Sequence, residues 1–482
     1  MKPIHLAAPL ALLFLSGCVV GPEHAAPEIA LPAQFVEGSA SSNGDVSAHA
    51  WWTAFNDSRL NGYVEQGLSQ NLDVLQALER INQAEAAVIQ AGAGGLPALD
   101  FGAQAERNGT RDIGGSLGPT STSPQTTVAG ALDASWLLDL FGLYKRSRES
   151  ALAQLDASYA SVDVARLTLL SQVVAAYIDV RYYQERMALA RQSLSSRRET
   201  LDLTRLQLEA GAASRLDVVQ AEGLVNTTLA EIPRLETQFR SAAHRVATLL
   251  ALPASALLPE LQKGARQPVA RFKANAGVPA DLIRNRPDIR AAERQLAAAV
   301  AEIGVAEAQL YPAITLGGSI RPSYTRISSG ESGILSWSFG PALSLPIFDG
   351  GALKANVSAS ESIAREAYLA WKQTVLGAVE EVENALAAVA RDTRIVTALR
   401  DTVRSYKEAL ELATASYRDG ASSLLDVLDA QRQVSTAQAN LAEAVRQMAQ
   451  DFVSLNIAIG GGYAYSPPMA AVIASAAPMP SK

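Results

Sequence analysis

One short segment occurs twice in this chain and constrains the fold more than any other feature of the sequence. Residues 211–221 read GAASRLDVVQA and residues 420–430 read GASSLLDVLDA, so a glycine, a serine, a leucine and an aspartate recur in step. Each copy follows a long stretch of helical character. Internal repeats indicate that a fold is assembled from similar structural units. The sequence therefore predicts two similar halves.

The stretch before the first copy is too long for a helix of a globular domain. No glycine or proline lies between Gly142 and Gly211, and a helix of about 65 residues would be about 100 Å long. Every seventh residue in it is apolar except Arg166: Leu152, Tyr159, Arg166, Val173, Val180, Met187, Leu194, Leu201 and Leu208. A second stripe precedes the second copy: Tyr368, Val375, Val382, Val389, Val396, Val403, Leu410 and Tyr417. Stripes with this period predict coiled-coil helices.

Four segments alternate between apolar and polar residues, as β-strands with two different faces do. They lie near residues 99–106, 127–140, 314–321 and 335–347. Dyad alternation over about ten residues is the signature of membrane β-barrel strands. Four strands cannot close a barrel, and an open edge in lipid leaves backbone groups unpaired. Several copies are therefore expected to share one barrel, with a soluble β-sandwich face or a rod-like structural coiled coil as the alternatives.

The alternation also predicts which way individual side chains point. The apolar set is expected to face lipid: Leu99, Phe101, Trp337 and Phe339. The polar set is expected to face the lumen: Gln104, Ser336 and Ser338.

The first residues have the pattern of a processing signal. Lys2 precedes an apolar run over residues 6–15, which ends in Leu15-Ser16-Gly17-Cys18. The run is shorter than the about 20 apolar residues of a transmembrane helix but suits a secretory signal peptide. Leu-Ser-Gly-Cys resembles a bacterial lipobox, so Cys18 is predicted to carry lipid, a buried free thiol being the alternative. Cys18 is the only cysteine, which excludes an internal disulfide.

Composition excludes several classes of function. The formal net charge of −7 argues against nucleic-acid binding, which needs clustered Lys and Arg. The four histidines are scattered, so no metal cluster is visible. A G-x-S-x-G match at residues 114–118 lies in a Gly/Ser/Thr-rich loop rather than in the strand-turn-helix context of a hydrolase. No catalytic residue is predicted.

Several motifs together resemble an outer-membrane factor of the TolC/OprM type, in its NodT-like lipoprotein branch. They are LSGCVVGPEHAAP, WWTAFNDSRLNGYVEQGLSQNLDVLQALERINQAEA, RNRPDIRAAERQLAAAVAEIGVAEAQLYP, LPIFDGG and YRDGASSLLDVLDAQR, and they span nearly the whole mature chain. The resemblance implies an α+β membrane protein with two structural repeats that forms a homotrimer. Three copies of four strands would make a twelve-stranded β-barrel, and the long coiled-coil helices would make a periplasmic α-barrel.

The resemblance also implies a function. Members of this family are passive exit ducts of the Gram-negative outer membrane, so the chain is expected to be no enzyme and to carry no cofactor beyond the lipid on Cys18. The implied partners are a periplasmic adaptor and an inner-membrane transporter of the resistance-nodulation-division class, and the cargo would be drugs or other toxic compounds. A duct for type I protein secretion and a structural periplasmic tether remain the alternatives.

The repeated turns would lie at the periplasmic tip, where this family closes its tunnel. The residues implied for this gate are two entrance aspartates, an apolar ring, an arginine that ties an entrance aspartate and a pair that links the two hairpins: Asp426, Asp429, Leu425, Arg432, Asp217 and Tyr417. Where some members carry an arginine this chain has Ser422, for which Arg215 or Arg418 could substitute. Turn and capping chemistry is the alternative for Asp217 and Asp426.

These interpretations divide the chain into ten segments. They are a signal peptide (1–17), a lipid-anchored segment (18–56), a first helical region (57–95), a transmembrane β-hairpin (96–141), a periplasmic helical hairpin (142–252), a connecting segment (253–279), a second helical region (280–310), a second β-hairpin (311–348), a second helical hairpin (349–459) and a disordered tail (460–482).

Overall fold

A computed structural model describes residues 19–38, 44–110, 123–270 and 279–465. After a short 3₁₀ helix, Trp51–Phe55, the elements follow in this order: α1 (Ser58–Gln70), α2 (Leu72–Ala93), β1 (Ala98–Thr110), β2 (Ser123–Leu138), α3 (Leu143–Glu209), α4 (Arg215–Leu249), α5 (Leu258–Leu261), α6 (Pro279–Asn285), α7 (Pro287–Ala308), β3 (Ala313–Ile327), β4 (Gly330–Ser344), α8 (Ala352–Arg418) and α9 (Leu424–Ala458). The predicted signal peptide, Cys18 and the G-x-S-x-G match lie outside the described residues.

The chain divides into two compact units. The first combines Met1–Glu28, Arg80–Ser158 and Ala291–Trp371, and it contains the strands. The second combines Ile29–Glu79, Tyr159–Arg290 and Lys372–Lys482, and it contains both repeated turns. Each unit therefore draws on both halves of the sequence.

The strands form one antiparallel sheet of four in the order β1-β2-β3-β4. The register aligns Phe101 with Leu132, Leu132 with Ile320 and Ile320 with Trp337 across all four strands. Directly paired residues point to the same side of a sheet. The apolar sets predicted for separate strands therefore share one continuous face, and that face is exposed, since Trp337 and Phe339 keep 78% and 80% of their accessible surface. This confirms the α+β class with four amphipathic strands.

The opposite face of the sheet is polar and its side chains bond across the strands. Arg321 donates to Asp133 at 2.8 Å, and the hydroxyls of Ser319 and Ser338 lie 2.9 Å apart. Polar groups that bond one another in this way suit a water-filled interior.

The middle of each seven-residue stripe is buried in the second unit. Val173, Val180, Val375 and Val382 are all fully buried. The core of this unit also takes in Trp51 and other residues of the N-terminal segment. Among the described residues, α3 contains one window that is apolar enough to cross a membrane by length and composition, but half of that window is buried inside the protein. Packing, as expected of a coiled-coil seam, accounts for this burial.

Two segments that were each predicted to be one helix contain two helices. The helix expected over residues 57–95 breaks at Asn71, whose amide donates to the Leu249 carbonyl at 2.8 Å and whose Oδ1 accepts from the backbone of Asp73 and Val74. Asn71 therefore caps α2. The helix expected over 280–310 breaks before Pro287, because proline disfavours helical geometry in the residue that precedes it.

The strands of the second β-hairpin are longer than predicted. They were expected near residues 314–321 and 335–347, yet β3 runs to Ile327 and β4 starts at Gly330. Pro322 pairs with Leu335 on β4, while the ladder between β2 and β3 skips it. Proline has no N–H to donate, so the pairing between β2 and β3 is interrupted at Pro322 and resumes at Ser323.

The C-terminal boundary also differs from the prediction. The tail was expected to be disordered from residue 460, but the described chain is packed as far as Tyr465. The Trp51 indole donates to the Gly461 carbonyl at 3.1 Å, and the Tyr465 ring meets Trp52 edge-on at 5.0 Å. Residues 466–482 lie outside the described residues. The aromatic cluster near Trp51 is what holds residues 460–465 in place.

Candidate functional site

The two repeated turns have the same backbone geometry. Gly211 and Gly420 both have φ of +74°, the left-handed conformation that glycine adopts without steric cost. In each turn the following alanine donates back into the preceding helix, Ala212 to Gln207 at 2.7 Å and Ala421 to Ser416 at 2.8 Å. These bonds satisfy carbonyls that a helix end leaves free. The repeated glycine is therefore a helix C-terminal device.

The serine and aspartate of each repeat form a capping box on the next helix. Asp217 Oδ2 accepts from the Ser214 backbone and hydroxyl, both at 2.8 Å, and Asp426 Oδ2 accepts from Ser423 at 3.1 and 2.9 Å. Such reciprocal bonds satisfy the free N–H groups at a helix start. Capping therefore explains why serine and aspartate recur at this spacing.

The predicted pair of Asp217 with Tyr417 is not made among the described residues. Asp217 bonds to Ser214, whereas the Tyr417 hydroxyl lies 3.4 Å from the Thr204 hydroxyl. Tyr417 is buried in an apolar cluster with Leu424 and Val427. Because Thr204 lies on α3 and Tyr417 on α8, the tyrosine still joins the two hairpins, through a different partner.

Asp429 and Arg432 form an ion pair on the surface of α9. Arg432 Nη2 lies 2.5 Å from Asp429 Oδ1, and both side chains are largely exposed. Leu425 is 64% exposed. All three border a cleft of about 480 Å³ between α4 and α9, near the turns, which Leu224 and Leu428 also line. The structure therefore brings Leu425, Asp429 and Arg432 together, and places Asp426 one turn of helix away in the capping box.

Ser422 and the two candidate arginines make no side-chain hydrogen bond that links the hairpins in the part of the chain that the structure describes. The Ser422 hydroxyl is buried without a hydrogen-bond partner in the described part of the chain. Arg215 and Arg418 are exposed, and no hydrogen bond or ion pair of either side chain occurs within residues that the structure describes. Neither arginine substitutes at Ser422 within one chain.

A set of buried polar contacts between the hairpins was not anticipated from the sequence. Gln431, 4% exposed, donates to the Thr200 hydroxyl at 2.8 Å. Ser193 and Ser435 bring their hydroxyls to 2.9 Å. The signal that could have revealed them is the occurrence of serine and threonine beside the apolar stripe of α3, with Ser193 next to Leu194 and Thr200 next to Leu201. Buried polar groups of this kind require specific partners, so they fix how α3 and α9 pack.

Arg197 adds a buried positive charge to this set of contacts. Its guanidinium donates to the Thr228 hydroxyl and, at 3.2 Å, to the Leu224 carbonyl on α4. Burial lowers the pKa of Arg197, and the nearby Glu231 partly opposes that shift. Within the described ranges, no group of three or more His, Cys, Asp or Glu side chains could hold a metal ion.

Known proteins with similar sequences are efflux proteins of bacterial outer membranes. The family model described as outer membrane efflux protein matches residues 63–252 and 278–461. The chain is 57% identical over 480 residues to nodulation protein T of Rhizobium leguminosarum bv. viciae, covering 99% of this chain and 98% of that protein. It is 32% identical to the pyoverdine export outer membrane protein OpmQ of Pseudomonas putida, covering 96% of this chain and 98% of the other.

A solved structure has the same fold. The outer-membrane channel OprN superposes with a TM-score of 0.79 at 32% sequence identity, covering 92% of this chain and 100% of that one. The sheet and the helical hairpins therefore occur together in a known outer-membrane channel.

Proposed function

This chain belongs to the outer membrane efflux protein family, and on that premise we propose that it is the exit duct of a tripartite pump that expels small molecules. It is an efflux protein of the outer membrane. The observation that carries the proposal is the four-stranded sheet with one exposed apolar face and two unpaired edges. A β-sheet in lipid satisfies all of its backbone hydrogen-bonding groups only if it is closed.

The working form is proposed to be a homotrimer. Strands β1 and β4 each have one free edge within a single chain, so the edge of one copy can pair with the opposite edge of the next. Edge pairing among three copies yields an even number of strands, as bacterial outer-membrane barrels have. The lipid proposed for Cys18 adds a second attachment to the membrane.

The repeated turns are proposed to close the duct. The contacts of Tyr417 and Gln431 hold the two hairpins together, and the exposed carboxylates of Asp426 and Asp429 would form rings in a trimer. Hydrogen bonds between neutral groups contribute about 0.5–1.5 kcal/mol each. A few such bonds keep a gate closed while leaving it weak enough to open when an adaptor binds.

The cleft between α4 and α9 is the proposed contact for that adaptor. It combines the apolar side chains of Leu425 and Leu428 with the charged side chains of Asp429 and Arg432. A periplasmic adaptor and an inner-membrane transporter of the resistance-nodulation-division class would complete the pump. The cargo is proposed to be a small molecule because OpmQ is named for the export of pyoverdine.

A reconstitution experiment tests this function. The purified protein is expected to behave as three chains in native mass spectrometry and to give discrete conductance steps in a planar bilayer. A host that lacks its own duct but retains an adaptor and a transporter should regain resistance to a pump substrate. Intact trimers without conductance would indicate a tether, and conductance with rescue of protein secretion alone would indicate a secretion duct.

A further inference from the structure

The N-terminal residues Val19–His24 form a strap that is bound tightly to the first unit. The Val20 backbone donates to the Phe141 carbonyl at 3.2 Å. Arg146, only 3% exposed, donates from Nε to the Val20 carbonyl at 3.0 Å and from Nη2 to the Gly21 carbonyl at 2.9 Å. Its Nη1 bonds to Glu149 at 2.8 Å. Charged donors make strong hydrogen bonds, so one buried arginine fixes two consecutive carbonyls of the strap.

Glycines make room for this contact. Gly21 has φ of +87°, and a Cβ there would lie 2.4 Å from the Cα of Gly304 on α7. A Cβ on Gly304 would in turn lie 2.8 Å from Arg146 Cγ. Glycine inside a helix is unfavourable relative to alanine, so Gly304 serves the contact with the strap rather than the helix.

The far end of the strap is held by a hydrogen bond. His24 Nε2 lies 2.5 Å from Glu293 Oε1, and both side chains are largely buried. Burial raises the pKa of Glu293, but hydrogen bonds from Arg294 and His24 outweigh it and hold that pKa below its usual value. Within the strap, residues 20, 21 and 24 are therefore all tied to the first unit by polar contacts.

The strap is bound where strands meet helices. Phe141 lies between the end of β2 at Leu138 and the start of α3 at Leu143. Its ring stacks on Tyr311, two residues before β3, with centroids 4.7 Å apart. Val19 packs next to Gly142, since a Cβ on that glycine would lie 2.7 Å from Val19 Cγ1. The first described residue of the strap therefore lies at this end of the sheet.

We infer that Arg146, Gly21 and Gly304 form a seat that holds the acylated N-terminus at the strand–helix junction, so that its acyl chains enter the periplasmic leaflet of the outer membrane beside the sheet. This inference rests on the proposed acylation of Cys18. If the strap were not bound, the lipid could insert at any point that the segment between the strap and the 3₁₀ helix allows it to reach. The seat instead aligns the lipid with the depth at which the strands leave the bilayer.

Spin labelling of the full-length protein in outer-membrane vesicles tests the seat. A nitroxide on Glu23→Cys, an exposed position in the strap, would report motion, and acylation leaves Cys18 without a thiol for the label. The label is expected to be immobile in the parent and to become mobile in Gly21→Ala and in Arg146→Lys. Gly44→Ala is the matched control, because Gly44 also has a positive φ, +64°, but has open space around it.

Two further measurements separate the seat from acylation. Labelling with radioactive palmitate should be equal in all four proteins. If no palmitate is incorporated, acylation and the role of the strap in the membrane are rejected. The spin label would still test whether the seat holds the strap. Accessibility of the nitroxide to oxygen dissolved in lipid should fall in Gly21→Ala if the strap leaves the membrane surface. Identical spectra in the parent, Gly21→Ala and Arg146→Lys would overturn the seat. Unchanged oxygen accessibility despite a mobile label would overturn its alignment with the leaflet.

Discussion

The hydroxyl groups of Tyr417 and Thr204 lie 3.4 Å apart in the buried space between the two helical hairpins. Thr204 also donates to the Thr200 carbonyl one turn earlier at 2.8 Å, so it keeps a partner if the tyrosine is changed. The contact joins α3 to α8 a few residues before each repeated turn. It gives the proposed gate a specific point at which the hairpins can separate.

We expect Tyr417→Phe to loosen the closed tip. The variant keeps the buried ring and removes a hydrogen bond of about 1 kcal/mol, so unfolding should change little while the gate opens more often. Single-channel recording should show a higher open probability in the isolated trimer. Tyr406→Phe, at a more exposed tyrosine on the same helix, is the control. Equal opening in the two variants would show that the contact does not hold the gate.

The exposed carboxylates of α9 should control ion selectivity. Asp429→Ala is expected to reduce cation preference with little loss of stability, because the partner of Asp429 among the described residues is the exposed Arg432 on its own helix. Asp426→Ala should reduce cation preference and also cost about 1 kcal/mol, since it removes the capping box with Ser423. Reversal potentials and chemical denaturation measure the two effects. Unchanged selectivity in the double variant would place the entrance elsewhere.

The two faces of the sheet should differ in their tolerance of charge. Phe339 lies on the exposed apolar face, and an arginine there would cost about 2–4 kcal/mol near the bilayer midplane. Phe339→Arg should therefore impair assembly of membrane-inserted trimers. Ser338→Arg, on the polar face next to Ser319, should assemble normally and change conductance. Equal damage from both changes would reject this assignment of the faces.

Stability should depend on pH through Asp392. This carboxyl on α8 is 7% exposed, and burial, followed by repulsion from Asp451 on α9, raises its pKa to about 6. Asp392 and Arg400 both line a cavity of about 360 Å³. A raised folded pKa makes the folded state bind the proton more tightly, so the contribution of Asp392 to stability is full below about pH 4 and is lost as the pH rises through about 6.

Asp392→Asn should remove this dependence. Each unit of pKa difference corresponds to about 1.4 kcal/mol, so the variant should be more stable than the parent at pH 7 and similar at pH 4. Denaturant unfolding at the two pH values measures the difference. Asp401→Asn, on an exposed carboxyl of the same helix, is the control. An equal difference in stability between the variant and the parent at pH 4 and at pH 7 would contradict the prediction.

Cys18→Ser should leave an unacylated form of the protein. The lipobox predicts that palmitate label is lost and that the signal peptide is retained or the protein is released into the periplasm. Mass spectrometry of the N-terminal peptide measures both outcomes. Some efflux activity is expected to remain, since the barrel also holds the protein in the membrane. Normal palmitate incorporation in the variant would place the lipid elsewhere.

Periodicity was enough to predict the two long helices and the presence of the four strands. The seven-residue stripe of α3 and the alternation of β1 to β4 are local properties of the chain, and each specifies which face of an element is apolar. The repeated Gly and Asp likewise predict a turn followed by a helix, because capping involves residues only a few positions apart. Where a local signal was ambiguous, as at Pro322 or Asn71, the predicted boundary of a helix or strand was wrong.

Contacts between distant residues were decided only by the tertiary structure. Tyr417 pairs with Thr204 rather than Asp217, Asn71 caps a helix while bonding to Leu249, and Arg146 binds carbonyls of Val20 and Gly21. No local pattern specifies which of several equivalent polar groups becomes the partner. That choice depends on how the helices pack and on which group would otherwise be buried without a hydrogen bond, so it exists only once the chain is folded.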